Sequence, residues 1–220
     1  MNVIANLSVD EFQKMVSGFD RRYINHWDQW LGKCNNPKER VSELGRILRG
    51  WQAFRPNVMR RPRSEAEHEA PFLEDIIDES SEYIQRLSDF DIAKESSIAP
   101  DVEKTLETLW DIFLKLSFEG KKKTKRQGVA GVVGISKAVL LLTEGRVGPA
   151  FDSEVRKRLC VCELGTSSQW IYSLGMVAKD IESFQIRNGC TLNEAAPKEF
   201  RHIQSGRIYD MALGPRASKA

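Results

Sequence analysis

The stretch GVAGVVGISKAVLLLTEGRVGPAFDSEVRKRL, residues 128–159, is the most apolar part of the chain. Three glycines stand at its start, one lysine, Lys137, lies inside the apolar run, and a proline and an aspartate end it. Glycine permits tight turns and close backbone approach, and aspartate is preferred at helix starts. The pattern predicts a glycine turn, a helix from near Ile135, a return loop over residues 144–151, and a further helix opened by Asp152.

The return loop is long enough to bring Asp152 back beside Lys137. Nine helical residues rise about 14 Å, and eight extended residues span about 26 Å. Two familiar phosphate-binding motifs do not fit this segment. A P-loop needs Gly-Lys followed by Ser or Thr after a strand, and GISKA has the wrong order with no strand before it. The dinucleotide fingerprint fails for the same lack of a strand.

The rest of the chain predicts helices throughout. At least five segments keep apolar residues at a 3.6-residue period, and none alternates with the period of a strand. Ser8 and Glu11 form a capping-box sequence, and Pro37 suits the first turn of a helix. We therefore expect an all-α, multi-helix protein. A proline-rich loop at residues 56–70 is the best internal boundary, between an N-terminal helical part, residues 1–60, and a helical core, residues 64–220, that together form one compact unit.

Charge is distributed unevenly along the 220 residues. Hydrophobic content of 41% and charged content of 29% are typical of a globular protein, and the net charge is +2. Residues 1–120 contain 16 Lys and Arg against 22 Asp and Glu, whereas residues 121–220 contain 17 against 9. The basic C-terminal half favours a surface that faces a polyanion, although uneven scatter of surface charge gives the same counts.

The cysteines and the N-terminus predict a cytoplasmic protein. The four cysteines complete no zinc pattern with histidine, so reduced thiols and no metal or cofactor are expected. The sequence MNVIANLSVDEF lacks the basic and apolar regions of a signal peptide. No apolar run reaches the roughly 20 residues that a membrane span needs, so no membrane partner is expected.

Residues 128–159 resemble the helix-hairpin-helix DNA glycosylase superfamily. Its members have a glycine hairpin, then often a lysine and small apolar residues, then an aspartate that opens a helix. Gly131, Gly134 and Lys137 match the first part here, and Asp152 begins a sequence similar to the family pattern D-[ST]-x-V-x-R. The two glycines are three residues apart, whereas the family has Gly-x-Gly. The cysteine set of the iron–sulfur members is absent, so no cluster is expected.

The resemblance implies a glycosylase-like core that binds double-stranded DNA and flips a base into a pocket. In such a site, Asp152 would stabilise positive charge on the sugar or orient the attacking water. Lys137, an amine among apolar neighbours, would serve as a nucleophile if the enzyme is also a lyase. The residues expected to contact DNA are the basic run and the hairpin positions, namely Lys121, Lys122, Lys123, Lys125, Arg126, Gly131, Gly134, Ser136 and Arg156.

Two functions remain open from the sequence. One is a DNA N-glycosylase of DNA repair, with or without lyase activity. The other is a non-enzymatic helical protein that binds nucleic acid or another protein. In the second case Asp152 is only a helix cap and Lys137 extends from an amphipathic helix. The two functions differ in geometry, because only the first requires both side chains to line one cleft.

Overall fold

Ten α-helices make up most of the computed structural model, which describes residues 2–51, 53, 73–118, 128–162 and 164–217. The all-α prediction is confirmed; the described ranges also contain two two-residue strands, β1 (Ser117–Phe118) and β2 (Gly128–Val129), which pair antiparallel. No helix in these ranges is long and apolar enough to cross a membrane. The helices are α1 (Val9–Ser17), α2 (Arg21–Lys33), α3 (Pro37–Gly50), α4 (Leu73–Arg86), α5 (Pro100–Leu114), α6 (Val132–Leu142), α7 (Ser153–Arg158), α8 (Ser167–Asn188), α9 (Leu192–Ala195) and α10 (Ser205–Leu213).

Local capping residues set most helix ends. Ser8 and Glu11 form the predicted capping box at the start of α1, since each side chain satisfies a backbone N–H that the helix leaves unpaired. Pro37 occupies the first turn of α3, where its missing N–H costs nothing. Gly189 ends α8 in the left-handed region with φ of 63°, a conformation that favours glycine.

Helix α6 lies at the centre of the hydrophobic core. Ten of its eleven residues are buried, which explains why its sequence is apolar on every side rather than on one stripe. It packs against α3 and α5, and the indole of Trp30 in α2 donates a hydrogen bond of 2.7 Å to the carbonyl oxygen of Leu141. The neighbours of α6 therefore come from both sides of the predicted boundary at residues 56–70.

The predicted boundary at residues 56–70 lies outside the described residues. On either side of it, the described helices share one core cluster that runs from Ile4 to Leu213. Helix α1 packs against α10, so the two ends of the chain lie side by side. The carboxylate of Asp180 in α8 fixes this arrangement by accepting hydrogen bonds from the backbone N–H groups of residues 3–5, at 2.9 to 3.1 Å, and from the hydroxyl of Tyr209.

The glycine turn predicted before Ile135 is wrong in detail. Helix α6 begins at Val132, with Gly131 as its N-cap, and Gly134 is a buried residue inside the helix. The N–H of Gly134 donates to the carbonyl of Gly131 at 3.0 Å. Burial of the whole apolar run outweighs the weak helix propensity of a single glycine, which is about 1 kcal/mol, and the helix extends through it.

Candidate functional site

A hydrogen bond joins α6 to the loop that precedes α7. The hydroxyl of Ser136 accepts from the backbone N–H of Phe151 at 2.9 Å. The two predicted catalytic residues are the next ones in sequence: Lys137 follows Ser136 in α6, and Asp152 follows Phe151 in the loop. The return loop therefore brings the backbone of Asp152 close to that of Lys137.

The two side chains make different contacts. Lys137 is only 6% exposed, and its Nζ donates a 2.5 Å hydrogen bond to the carbonyl oxygen of Trp51. Asp152 is half-buried at the N-cap of α7. Its Oδ1 accepts from the N–H groups of Glu154 and Val155, both at 3.0 Å. Oδ2 takes part in none of the hydrogen bonds among the described residues, so one carboxylate oxygen remains available.

Close backbone packing against α10 positions the loop that carries Asp152. Gly145 has φ of +88°, and its carbonyl accepts a 3.1 Å hydrogen bond from the N–H of Arg207. A Cβ on Gly206 would lie 2.6 Å from the carbonyl oxygen of Gly145. Further along the loop, the N–H of Ala150 donates to Oδ1 of Asp210 at 3.0 Å. The loop is thus fixed at both ends of its contact with α10.

A buried ion pair lies under the loop. Nη1 of Arg207 pairs with Oδ2 of Asp210, and both side chains are almost fully buried. Nη2 of Arg207 also donates to the carbonyl of Tyr23 at 3.1 Å. The guanidinium lies 4.9 to 5.1 Å from three aromatic ring centroids, a cation–π arrangement formed by Phe19, Trp27 and Trp51.

Asp152 contributes to the electrostatics of this buried pair. Burial raises the pKa of Asp210 to about 6, and the negative charge of Asp152 acts in the same direction, while Arg207 opposes it. Burial also lowers the pKa of Arg207, against the opposing effects of Asp210 and Asp152. Burial raises the pKa of Tyr23, and Asp152 adds to that shift. Asp152, Asp210, Arg207 and Tyr23 therefore form one electrostatic cluster, which we call the polar cluster.

Trp51 connects the polar cluster to Lys137. Its carbonyl accepts from Lys137, its ring contacts the Arg207 guanidinium, and it meets the Tyr23 ring edge-on at 5.9 Å between centroids. Its indole N–H donates to Nδ1 of His26 at 3.2 Å. The sequence predictions missed Trp51, Tyr23, Arg207 and Asp210. The only available signal was two opposite charges within GRIYDMAL, an otherwise apolar helix.

The residues predicted to contact DNA are placed in three different ways. The basic run from Lys121 to Arg126 lies outside the described residues. Gly134 and Ser136 are buried in α6, where the hydroxyl of Ser136 accepts from the N–H of Phe151, and their contact with DNA stays a prediction. Gly131 is exposed, and Arg156 is half-buried on α7 beside Lys157 and Arg158.

In the described ranges, no group of three or more His, Cys, Asp or Glu side chains could hold a metal ion. Comparisons of the chain with models of protein families, with curated proteins and with solved structures gave no match.

Proposed function

We propose that the protein binds DNA and hydrolyses the N-glycosidic bond of a damaged or modified base. The observation that carries the proposal is the half-buried Asp152, whose Oδ2 is used in none of the hydrogen bonds among the described residues, while a hydrogen bond between Ser136 and Phe151 anchors the loop before it to α6. A carboxylate is the group that stabilises an oxocarbenium-like transition state in glycoside hydrolysis.

The proposed reaction needs only Asp152 and water, so it does without the cleft shared with Lys137 that the sequence prediction required. The bond between C1′ and the base nitrogen breaks, its electron pair leaves with the base, and positive charge develops on the sugar. Oδ2 of Asp152 stabilises that charge, water adds to C1′, and the proton that the water loses is taken up by the departing base or by solvent. Because Asp152 forms part of the α7 N-terminus, its position is set before substrate binds, which favours electrostatic stabilisation.

Lys137 favours hydrolysis over a lyase reaction. A lyase would need Nζ of Lys137 to attack C1′, and this nitrogen is buried and donates to the Trp51 carbonyl. The amine would have to leave that hydrogen bond before it could form a covalent bond to the sugar. In the proposal Lys137 is therefore a positioning residue that ties α6 to the end of α3.

DNA contacts in the proposal come from the basic half of the chain. The run Lys121, Lys122, Lys123, Lys125 and Arg126 precedes the exposed Gly131 by a few residues. Phosphate contacts by such a run carry no base information. Its replacement with alanine should weaken binding to all sequences equally and reduce the dependence on salt.

A second candidate is a DNA-binding protein without enzymatic activity. It is favoured by the fact that both predicted catalytic residues already have structural partners, the Trp51 carbonyl for Lys137 and two α7 amides for Asp152. A helix cap and a buried lysine of this kind need no catalytic role.

Asp152→Asn separates the two candidates. Asn caps helices about as well as Asp, so the variant should keep the stability of the parent protein. It lacks the negative charge, so base excision should fall roughly 100-fold or more. The assay measures strand nicking after alkali treatment on duplexes that each carry one modified base, and Asp10→Asn, an exposed residue of α1, is the charge-matched control.

Each outcome of this assay has a distinct meaning. Full excision by Asp152→Asn would reduce Asp152 to a cap and contradict the proposed mechanism. DNA binding without excision by the parent protein on any duplex would favour the second candidate. Absence of DNA binding by the parent would exclude both.

A further inference from the structure

A polar cleft between α2 and α3 lies next to the polar cluster and shares only Tyr23 with it. Its volume is about 390 Å³. The polar side chains that line it are Arg22, Asn25, His26, Gln29 and Arg46. Tyr23 also lines the cleft, and its carbonyl accepts from Arg207 in the polar cluster. The lining contains two cations and no carboxylate.

Each arginine is oriented by a carboxylate outside the cleft. Arg22 directs Nε and Nη2 to Asp20, at 2.6 to 3.2 Å. Arg46 directs Nε and Nη2 in the same way to Glu43, a buried carboxylate on the same helix. Nη1 of neither arginine is used in the hydrogen bonds among the described residues. Each guanidinium is therefore held by hydrogen bonds along its Nε–Nη2 edge, and its Nη1 can still donate to a ligand.

His26 and Gln29 present donors because an acceptor atom of each is already occupied. An indole N–H can only donate, so Nδ1 of His26 must accept from Trp51, and a neutral His26 ring carries its hydrogen on Nε2. Burial lowers the pKa of His26, and the charge of Arg46 adds to that effect, so the neutral ring is favoured. The Oε1 of Gln29 accepts from Arg46, which leaves the amide NH₂ group of Gln29 as a donor.

We infer that this α2–α3 cleft binds a phosphate group. The lining offers guanidinium, imidazole and amide N–H donors, and two of its acceptor atoms are already occupied by Trp51 and Arg46. Guanidinium groups match the oxygens of phosphate in geometry and charge. The cleft volume of about 390 Å³ exceeds that of one phosphate. The same chemistry would take a phosphate of the DNA backbone, which rests on the proposed function, or that of a free nucleotide, which does not.

The test compares two double variants that lose the same charge. Arg22→Gln with Arg46→Gln removes both cleft guanidinium groups. Arg21→Gln with Arg49→Gln removes two exposed arginines from the same two helices, neither of which lines the cleft. Arg22→Gln alone is a further variant, because the Arg22 side chain is 78% exposed and its loss leaves the buried Glu43 paired.

Binding is measured by calorimetry with three probes, namely inorganic phosphate, deoxyadenosine 5′-monophosphate and a short unmodified DNA duplex. We expect the parent to bind at least one of them and the cleft double variant to bind it roughly tenfold more weakly or worse, as the loss of charge-assisted hydrogen bonds requires. The control double variant should bind within about twofold of the parent. Arg22→Gln should fall between the two.

The pattern across probes identifies the source of the phosphate. A loss confined to the duplex supports a DNA backbone phosphate, and a loss for the mononucleotide supports a free nucleotide. The inference is overturned if the parent binds none of the three probes, or if both double variants weaken binding equally. None of these measurements depends on base excision, so a failure of the proposed enzymatic function leaves this test intact.

Discussion

Gly206→Ala tests whether backbone packing against α10 positions the loop that carries Asp152. A Cβ at this residue would lie 2.6 Å from the carbonyl oxygen of Gly145 and 2.8 Å from the nitrogen of Gly148. Ordinary contacts of a Cβ begin near 3.4 Å. Both clashing atoms belong to the backbone, so no side-chain rotation relieves the overlap. Either α10 or the loop must move by several tenths of an ångström.

The free energy of unfolding should fall by about 1–2 kcal/mol. Inserting a methyl group into a well-packed site costs about 1–3 kcal/mol. Alanine recovers up to about 1 kcal/mol through its better helix propensity, because Gly206 is the second residue of α10. The displaced loop also carries Asp152, so under the proposed function base excision should fall by about tenfold or more, as small misplacements of a catalytic group do.

Gly32→Ala is the matched control for this substitution. Gly32 is an exposed residue of α2, and a Cβ there would have no heavy atom within 4 Å. The free energy of unfolding should rise by up to about 1 kcal/mol, because alanine favours the helix. Urea denaturation followed by far-UV circular dichroism measures both variants. If Gly206→Ala stabilises the protein as Gly32→Ala does, the close approach of the loop to α10 does not exist.

Two further substitutions test the buried carboxylates. Asp180→Ala should lower the free energy of unfolding by about 3–5 kcal/mol, because the N–H groups of residues 3–5 and the Tyr209 hydroxyl lose their acceptor. An unchanged urea midpoint would show that this carboxylate does not hold the N-terminal segment. The pKa of Asp210 is raised from 3.8 to about 6. Between these pH values the folded state binds more protons than the unfolded state, so the contribution of Asp210 to stability grows as the pH falls. Asp210→Asn keeps an acceptor for the N–H of Ala150 but cannot titrate. The free energy of unfolding of the parent, minus that of the variant, should therefore be larger at pH 4.5 than at pH 7.5. An identical pH dependence of the two proteins would contradict the assignment.

Features that depend on neighbouring residues were predictable from the sequence. The capping box at Ser8, the proline start of α3 and the Asp152 cap of α7 all appear where the sequence predicted them. A cap is a contact between residues two to four apart, so its energy is decided before any tertiary structure forms.

The helical conformation of Gly134 and the burial of Arg207 and Asp210 were not predictable from neighbouring residues. Gly134 has weak helix propensity, and only its burial between α3 and α5 keeps it inside α6. Arg207 and Asp210 are opposite charges three residues apart in the apolar sequence of α10, but that spacing does not show that the pair is buried. The aromatic rings that enclose Arg207 come from residues more than 150 positions earlier in the chain, and nothing near Arg207 in the sequence indicates them.

Periodicity, caps and chain reach are local properties, so the sequence predicts the helical class, the starts of α1, α3 and α7, and the length of loop that returns Asp152 to α6. The packing of the helices sets three further features: the donation from Lys137 to Trp51, the effect of Asp152 on the buried Arg207–Asp210 pair, and the donor-rich cleft beside them. These contacts join residues far apart in the chain, and their energies arise from burial, which exists only once the helices have packed.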